Sequence, residues 1–173
     1  PTCICRIFSG TCKRGSVMLH GWTWKHKLLE ALSLACMVGM AALVLVRWDA
    51  LPAQVPMHYG AGGEIDGWGD KWTIWVVPAM GVLCGLCFLL PLCIPREKWN
   101  MPVKLTDSNR EAAYRLTLTM MLTLQLETIL VFVWLCVCQC FLLPLGAGFL
   151  VFSIAAPIAT LIFFLARFAF LPH

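Results

Sequence analysis

Charged residues are scarce in this sequence of 173 residues: they make up 13% of it, about half the share found in an ordinary soluble domain. Hydrophobic residues make up 60%, and the mean hydropathy is +0.81. A soluble domain of this size leaves too many residues in water to hide that much apolar surface. A disordered chain is also excluded, because disorder requires low hydrophobicity and high charge. The composition therefore predicts a membrane protein with several spans.

Several functional signatures are also missing. The chain has no dense run of lysine and arginine, and its net charge is only +4, so we expect no nucleic-acid partner. It lacks the His-Glu-x-x-His motif of zinc proteases and the Gly-Lys-Ser/Thr motif that binds phosphates. We therefore expect no catalytic residues, no cofactor and no metal site, and a protein that is not an enzyme.

The ten cysteines do not change this expectation. Most of them lie inside apolar runs, where a free cysteine behaves as a small hydrophobic residue. A redox or metal-binding Cys-x-x-Cys motif needs polar, accessible surroundings, whereas Cys84 and Cys87 have Gly, Leu and Phe as neighbours. We predict that the cysteines within the apolar runs serve packing: Cys36, Cys84, Cys87, Cys93, Cys136, Cys138 and Cys140.

The apolar residues are concentrated in four stretches: 28–46, 73–94, 116–143 and 149–166. Each has about the 20 residues that a helix needs to cross the hydrocarbon core of a bilayer. A span must satisfy its own backbone hydrogen bonds, so all four are predicted to be helices. The sequence thus predicts an all-α fold, a transmembrane bundle of four spans with a Pro/Gly-rich extracytoplasmic loop between spans 1 and 2.

The segment before the first span has a different interpretation. The chain opens with Pro1, and its first methionine is Met18. We interpret residues 1–17 as a segment of upstream or non-native origin, and residues 18–173 as a single membrane domain.

The basic residues predict the orientation of the spans. Lys25 and Lys27 precede the first span, and the connection 95–115 carries five basic residues. The loop 47–72 has only two, against four acidic residues. Because basic residues are enriched in cytoplasmic segments, we expect both termini and the connection 95–115 in the cytoplasm. The loop 47–72 then faces outward.

A capping box is predicted at the start of the third helix. Ser108 is followed by Glu111 at the spacing in which each side chain caps a backbone amide of the first turn. We therefore expect Ser108 to cap this helix and the helix to begin near Asn109.

The outward loop is rich in residues that impose specific backbone shapes. Its prolines fix φ, its glycines permit tight turns, and its polar residues supply chemical function. A flexible linker would not need this combination. We propose as candidate binding residues the loop motif Pro52, Pro56, His58, Gly63, Asp66, Trp68, Gly69, Lys71 and Trp72.

The order Leu-Pro-x-x-Val-Pro-x-His, then Gly, then Asp-x-Trp-Gly-x-Lys-Trp at the mouth of the second span, resembles the DUF1648 domain. The resemblance covers residues 28–94. It implies a helical membrane protein of a bacterial or archaeal plasma membrane. It also implies a relationship to the N-terminal part of SdpI-like immunity and signalling proteins.

Two interpretations of the polar loop residues are open. His58 and Asp66 could form a hydrogen-bonded pair, and Glu64, Asp66 and Asp70 could gather a cation. The structural interpretation has His58 tying the loop to the membrane surface, with Asp66 and Lys71 capping or pairing at the second helix. We favour the structural interpretation, because turn carboxylates are common scaffolding.

A polar stripe marks the third span. Arg115, Thr119, Thr123 and Glu127 are four residues apart and share one helix face. An ionisable residue inside a span usually faces protein or water, which would suit a proton- or ion-coupled step. Alternatively, the membrane begins only near Met121, and Glu127 lies at a shallow depth.

Small residues at Gly81 and Gly85 predict close packing of the second span, either inside the chain or across a homo-oligomer. The cytoplasmic connection, with its basic residues, is the place for an intracellular protein partner. The remaining partners we expect are the lipid bilayer and a peptide or envelope ligand at the outer face.

The sequence supports three functional hypotheses. The first is a non-enzymatic DUF1648-type membrane protein with a sensing, signalling or immunity-like role, whose outward loop recognises its ligand. The second is a small ion-coupled transporter or channel subunit that uses Glu127. The third is a membrane enzyme centred on His58 and Asp66.

Overall fold

The computed structural model describes residues 22–172, so the interpretation of residues 1–17 lies outside the described residues. Four helices in this part of the chain are long and apolar enough to cross a membrane. Their α-helical parts are α1 (Trp24–Arg47), α2 (Val76–Leu89), α3 (Arg110–Phe141) and α4 (Gly146–Ala169). Short 3-10 turns, Lys71–Trp75 and Leu90–Cys93, lengthen the second span at both ends. The predicted all-α fold with four spans is confirmed.

Helix α3 is the centre of the bundle and packs against each of the other three helices. Its buried face meets α1 in a core of methionine, aliphatic and cysteine side chains. Ile129, Cys136 and Cys140 on α3 are fully buried there, beside Met40 and Val44 of α1. The two cysteines are free thiols that pack as apolar groups in this core.

Helix α2 enters this core through its two spaced glycines. A side chain at Gly81 would meet Met40 of α1 and Phe132 of α3, and a side chain at Gly85 would meet Met37 and Ile129. Both glycines are buried. The close packing predicted for them therefore occurs inside the chain, while a homo-oligomer stays a prediction.

The loop between α1 and α2 forms a β-hairpin at residues 54–70, which the sequence did not predict. Strand β1 (Gln54–Tyr59) pairs with the antiparallel strand β2 (Ile65–Asp70), and the register is irregular around His58. Proline and glycine within the strands disfavour β-structure, so the local sequence indicated turns. The first connection therefore has regular structure of its own between the two spans.

The connection before α3 corrects the predicted capping box. The residue at the N-cap is Asn109, and Ser108 makes no cap: its hydroxyl lies 2.8 Å from the Thr106 hydroxyl. The buried Asn109 side chain instead accepts a hydrogen bond from the Thr106 amide and donates to the carbonyls of Lys104 and Pro172. Asn109 thus ties this connection to the chain that follows α4, and the capping-box prediction at Ser108 is wrong.

Candidate functional site

The hairpin is fixed to the bundle by buried hydrogen bonds from the end of α3 and from the turn that follows it. The Gln139 side chain donates from Nε2 to the Pro56 carbonyl over 2.8 Å, and both residues are buried. At the tip, the Leu145 amide donates to the Gly63 carbonyl over 2.8 Å. Val55 adds a fully buried side chain to the helical core. The hairpin is therefore a docked element of the fold.

Gly63 occupies a position that only glycine fits well. Its φ is +83°, in the left-handed region that side chains with a Cβ rarely adopt. A Cβ there would also lie 3.0 Å from the Gly146 amide nitrogen and 3.4 Å from Leu145 Cβ. This glycine of the loop motif therefore permits the close approach of the hairpin tip to the α3–α4 turn.

Tyr59, at the end of β1, packs beside Cys138, Leu145 and Phe149 at the same junction. Burial raises the pKa of Tyr59 to about 12. The phenol stays neutral at physiological pH, and its hydroxyl has no hydrogen-bond partner within residues 22–172. Tyr59 therefore packs at this junction as a neutral aromatic side chain.

Both basic residues of the loop lie over aromatic rings. Lys71 Nζ is 4.7 Å from the centre of the Trp48 ring, and the Arg47 guanidinium is 4.6 Å from the Phe141 ring. Trp48 also contacts Trp72, with ring centres 4.7 Å apart. Such cation–π pairs stabilise by about 0.5–1 kcal/mol at exposed sites. They hold the positive charges against the aromatic belt at this end of the bundle.

In contrast to these basic residues, the acidic residues of the hairpin are exposed. Burial alternates strictly along β2, and the exposed positions are Asp66, Trp68 and Asp70. The structure brings His58 together with Asp66: His58 Nδ1 lies 2.5 Å from Asp66 Oδ1, with both side chains exposed. Gly67 makes room for this pair, since a Cβ there would lie 2.8 Å from His58 Cβ.

The residues of the loop motif do not lie together in one cluster. Pro56 and Gly63 are buried at the docked side, whereas Pro52 is exposed and the carboxylates face out. Within residues 22–172, no three His, Cys, Asp or Glu side chains lie close enough together to hold a metal ion. The carboxylates at 64, 66 and 70 therefore do not form such a cluster. Lys71 stacks on Trp48 and does not pair with an acid at α2.

Glu127 lies near the middle of α3, and its carboxylate contacts α4. Thr160 Oγ1 donates to Glu127 Oε1 over 2.5 Å, while Glu127 Oε2 has no partner in the described residues. Both residues are far from the ends of their helices, which favours the deep position over the shallow one. The hydroxyls of Thr119 and Thr123 donate to backbone carbonyls one turn earlier, as threonines in spans commonly do.

One intramembrane polar group, Gln125, was not among the residues predicted from the sequence. It is fully buried and donates from Nε2 to the Gly85 carbonyl of α2 over 3.4 Å. The sequence feature that could have identified Gln125 is its polar side chain within an apolar stretch, two positions before Glu127. Gln125 and Glu127 thus point to different neighbouring helices from the same part of α3.

The fold and the hairpin define an integral membrane protein with four apolar helices and an elaborated first connection. Residues 35–82 match the family model described as "Domain of unknown function (DUF1648)". This match runs from α1 through the hairpin into α2, and it supports the resemblance to the DUF1648 domain that the loop motif predicted. No curated protein and no solved structure was found to match the chain.

Proposed function

We propose that this protein is a non-enzymatic sensing or immunity-like protein of a bacterial or archaeal plasma membrane, and that the outward hairpin binds a cationic amphipathic peptide. The observation that carries this proposal is the separation of charge in the loop. All four acidic residues are exposed, whereas both basic residues are half-buried over aromatic rings. The surface offered to a partner is consequently acidic.

The hairpin and the residue that follows it also carry exposed apolar side chains. Trp68 is 52% exposed and Met57 is 42% exposed, on the hairpin itself. Trp72, directly after β2, is 73% exposed. Large aromatic and methionine side chains next to carboxylates match a ligand that is both basic and apolar.

The docking of the hairpin also favours binding. Main-chain and Gln139 hydrogen bonds hold β1 and the tip against α3 and α4. A surface fixed in advance loses less conformational entropy when a ligand binds. The proposal therefore concerns a pre-formed site, with the exposed pair of His58 and Asp66 at its centre.

Removal of the exposed carboxylates tests the proposal. The variant Glu64→Gln/Asp66→Asn/Asp70→Asn keeps the shape of these side chains. Since each of the three exposed ion pairs contributes about 0.2–1 kcal/mol, we expect affinity for a cationic peptide to fall by roughly 3–150-fold. The measurement is fluorescence titration of a synthetic Lys/Leu amphipathic helix onto the protein in nanodiscs of zwitterionic phosphatidylcholine, with empty nanodiscs subtracted.

A matched variant removes three exposed carboxylates at the other end of the bundle: Glu97→Gln/Asp107→Asn/Glu111→Gln. It changes net charge by the same amount and should leave peptide affinity unchanged. Equal weakening by both triple variants would mean that only overall charge matters, and the proposed binding site would then be rejected.

A second function is favoured by the geometry of Glu127. A carboxylate in the middle of a span, with one oxygen bonded to Thr160 and the other without a partner in the described residues, is a suitable carrier for a proton or cation. In this alternative the protein is a small ion-coupled transporter or channel subunit. The hairpin would then cover one end of the pathway.

Proton flux into liposomes tests this alternative. With the full chain reconstituted and a potassium diffusion potential imposed, the interior should acidify, as read by an enclosed pH-sensitive dye. Glu127→Gln should reduce this rate at least about tenfold, because the amide cannot carry a proton at neutral pH. The surface variant Glu97→Gln serves as the control. Equal rates for wild type, Glu127→Gln and protein-free liposomes would exclude the transporter.

A further inference from the structure

A basic crevice opens at the end of the bundle opposite the hairpin. It lies between the start of α1, the start of α3 and the end of α4, and its volume is about 430 Å³. Each of the three helices contributes one cation to its wall: Lys25, Arg115 and Arg167. None of the residues that line it is acidic.

The floor of the basic crevice is polar and fixed. His26 is buried, and its Nδ1 accepts a hydrogen bond from the Thr23 amide, so the proton lies on Nε2. Nε2 donates to Thr119 Oγ1 over 2.8 Å, and this hydroxyl donates onward to the Arg115 carbonyl. The His26 ring is therefore neutral, and it joins the first turn of α1 to α3.

The cations at the rim are exposed and available. Within the part of the chain that the structure describes, the Arg115 guanidinium forms one ion pair, with Glu111 at 3.7 Å, and an exposed pair of this kind is weak. No ion pair joins Lys25 or Arg167 to a carboxylate within residues 22–172. The first turn of α1 has no acidic residue, so the partial positive charge of the helix N-terminus adds to the field.

The positive-inside tendency and the helix dipoles account for single basic residues at these positions. They do not require three cations from three helices to converge on one cavity. They also do not account for the apolar part of the wall, where Leu116, Phe170 and Leu171 lie beside the cations. A cavity with a basic rim and an apolar wall matches a ligand with a phosphate and a hydrocarbon portion.

We propose that the basic crevice binds the phosphate group of an anionic phospholipid, whose glycerol and upper acyl chains lie along the apolar wall. The three cations lie near the ends of helices that are long and apolar enough to span a membrane, where phospholipid headgroups are expected. A phospholipid satisfies both the charge and the apolar contacts, whereas free phosphate satisfies only the charge. The bound lipid joins α1, α3 and α4.

Native mass spectrometry of the purified full chain in detergent micelles tests the proposal. Phosphatidylglycerol is titrated against phosphatidylcholine, and the fraction of protein with bound lipid gives the affinity. The double variant Lys25→Gln/Arg167→Gln should weaken phosphatidylglycerol binding by roughly 30-fold, with little change for phosphatidylcholine. The single variant Arg167→Lys keeps the charge and should retain most of the phosphatidylglycerol binding.

The control removes two exposed basic residues at the same end but outside the crevice, as Lys98→Gln/Lys104→Gln. Equal weakening in the two double variants would overturn the proposal, because it would show attraction to the whole basic end. Displacement of the lipid by millimolar inorganic phosphate, or equal binding of both lipids by wild type, would overturn the assignment to an anionic phospholipid.

Discussion

Replacement of Gly63 with alanine is expected to lower the free energy of unfolding by about 2–5 kcal/mol. The left-handed backbone at this position costs a residue with a Cβ about 1–2 kcal/mol. The added Cβ would also press on Gly146 and Leu145, where the hairpin tip meets the α3–α4 turn, and such overpacking costs about 1–3 kcal/mol. The hydrogen bond from the Leu145 amide to the Gly63 carbonyl would lengthen or break.

Thermal unfolding in detergent with a thiol-reactive dye measures this effect. The exposed thiols Cys87 and Cys93 react at once, whereas Cys136 and Cys140 are fully buried and add to the signal only after unfolding. The neighbouring variant Gly62→Ala is the control. A Cβ at Gly62 would meet only the Glu64 carboxylate, which is the mobile end of a side chain. Its cost should stay below about 1 kcal/mol. Equal destabilisation by both variants would contradict the docked position of the tip.

Gly81→Leu is the second substitution with a large expected effect, a loss of about 1–3 kcal/mol or more. A Cβ at Gly81 would lie 2.8 Å from Met40 Cε and 3.2 Å from Phe132 Cβ, so α2 could no longer approach α1 and α3. In a bilayer, lipid is as apolar as leucine, and helix association depends on packing. A larger apolar side chain here therefore costs stability without a compensating gain from burial.

Gly39→Leu on α1 is the matched control, since a Cβ at Gly39 meets nothing within 4 Å. Leucine is the better helix former, and this variant should gain up to about 1 kcal/mol. Both variants are compared with wild type by the same thiol assay. Stability that is unchanged in Gly81→Leu, or lowered equally in Gly39→Leu, would contradict the close packing of α2 against α1 and α3.

The spans were predictable from the sequence because the bilayer leaves few alternatives. An apolar stretch of about 20 residues must be a helix, and its length alone locates it to within a few residues. The hairpin was not predictable in the same way. Pro56 in β1 and the glycines at 67 and 69 in β2 have low β-propensity. The strands are stabilised by the hydrogen bond from Gln139 of α3 to Pro56 and by the burial of Val55 in the helical core. Both contacts depend on the tertiary fold.

The candidate site residues were also predictable from the sequence, whereas their partners on other parts of the chain were not. The sequence named His58, Asp66 and Glu127 as residues of interest, because polar groups at these positions need a partner. It could not give the Thr160 contact of Glu127, since that partner lies on another helix. The capping box at Ser108 failed for a related reason: Asn109 bonds the distant Pro172 carbonyl, a contact that no local motif reports.

The central claim is that residues 54–70 form a hairpin docked on the bundle, on which the proposed recognition surface depends. Hydrogen–deuterium exchange of the full chain in lipid nanodiscs tests it most directly. The amides of Gly60, Gly63, Lys71 and Leu145 donate backbone hydrogen bonds in and around the hairpin and should exchange slowly. Exchange of the whole segment within seconds, at the rate of an unstructured peptide, would contradict the docked hairpin.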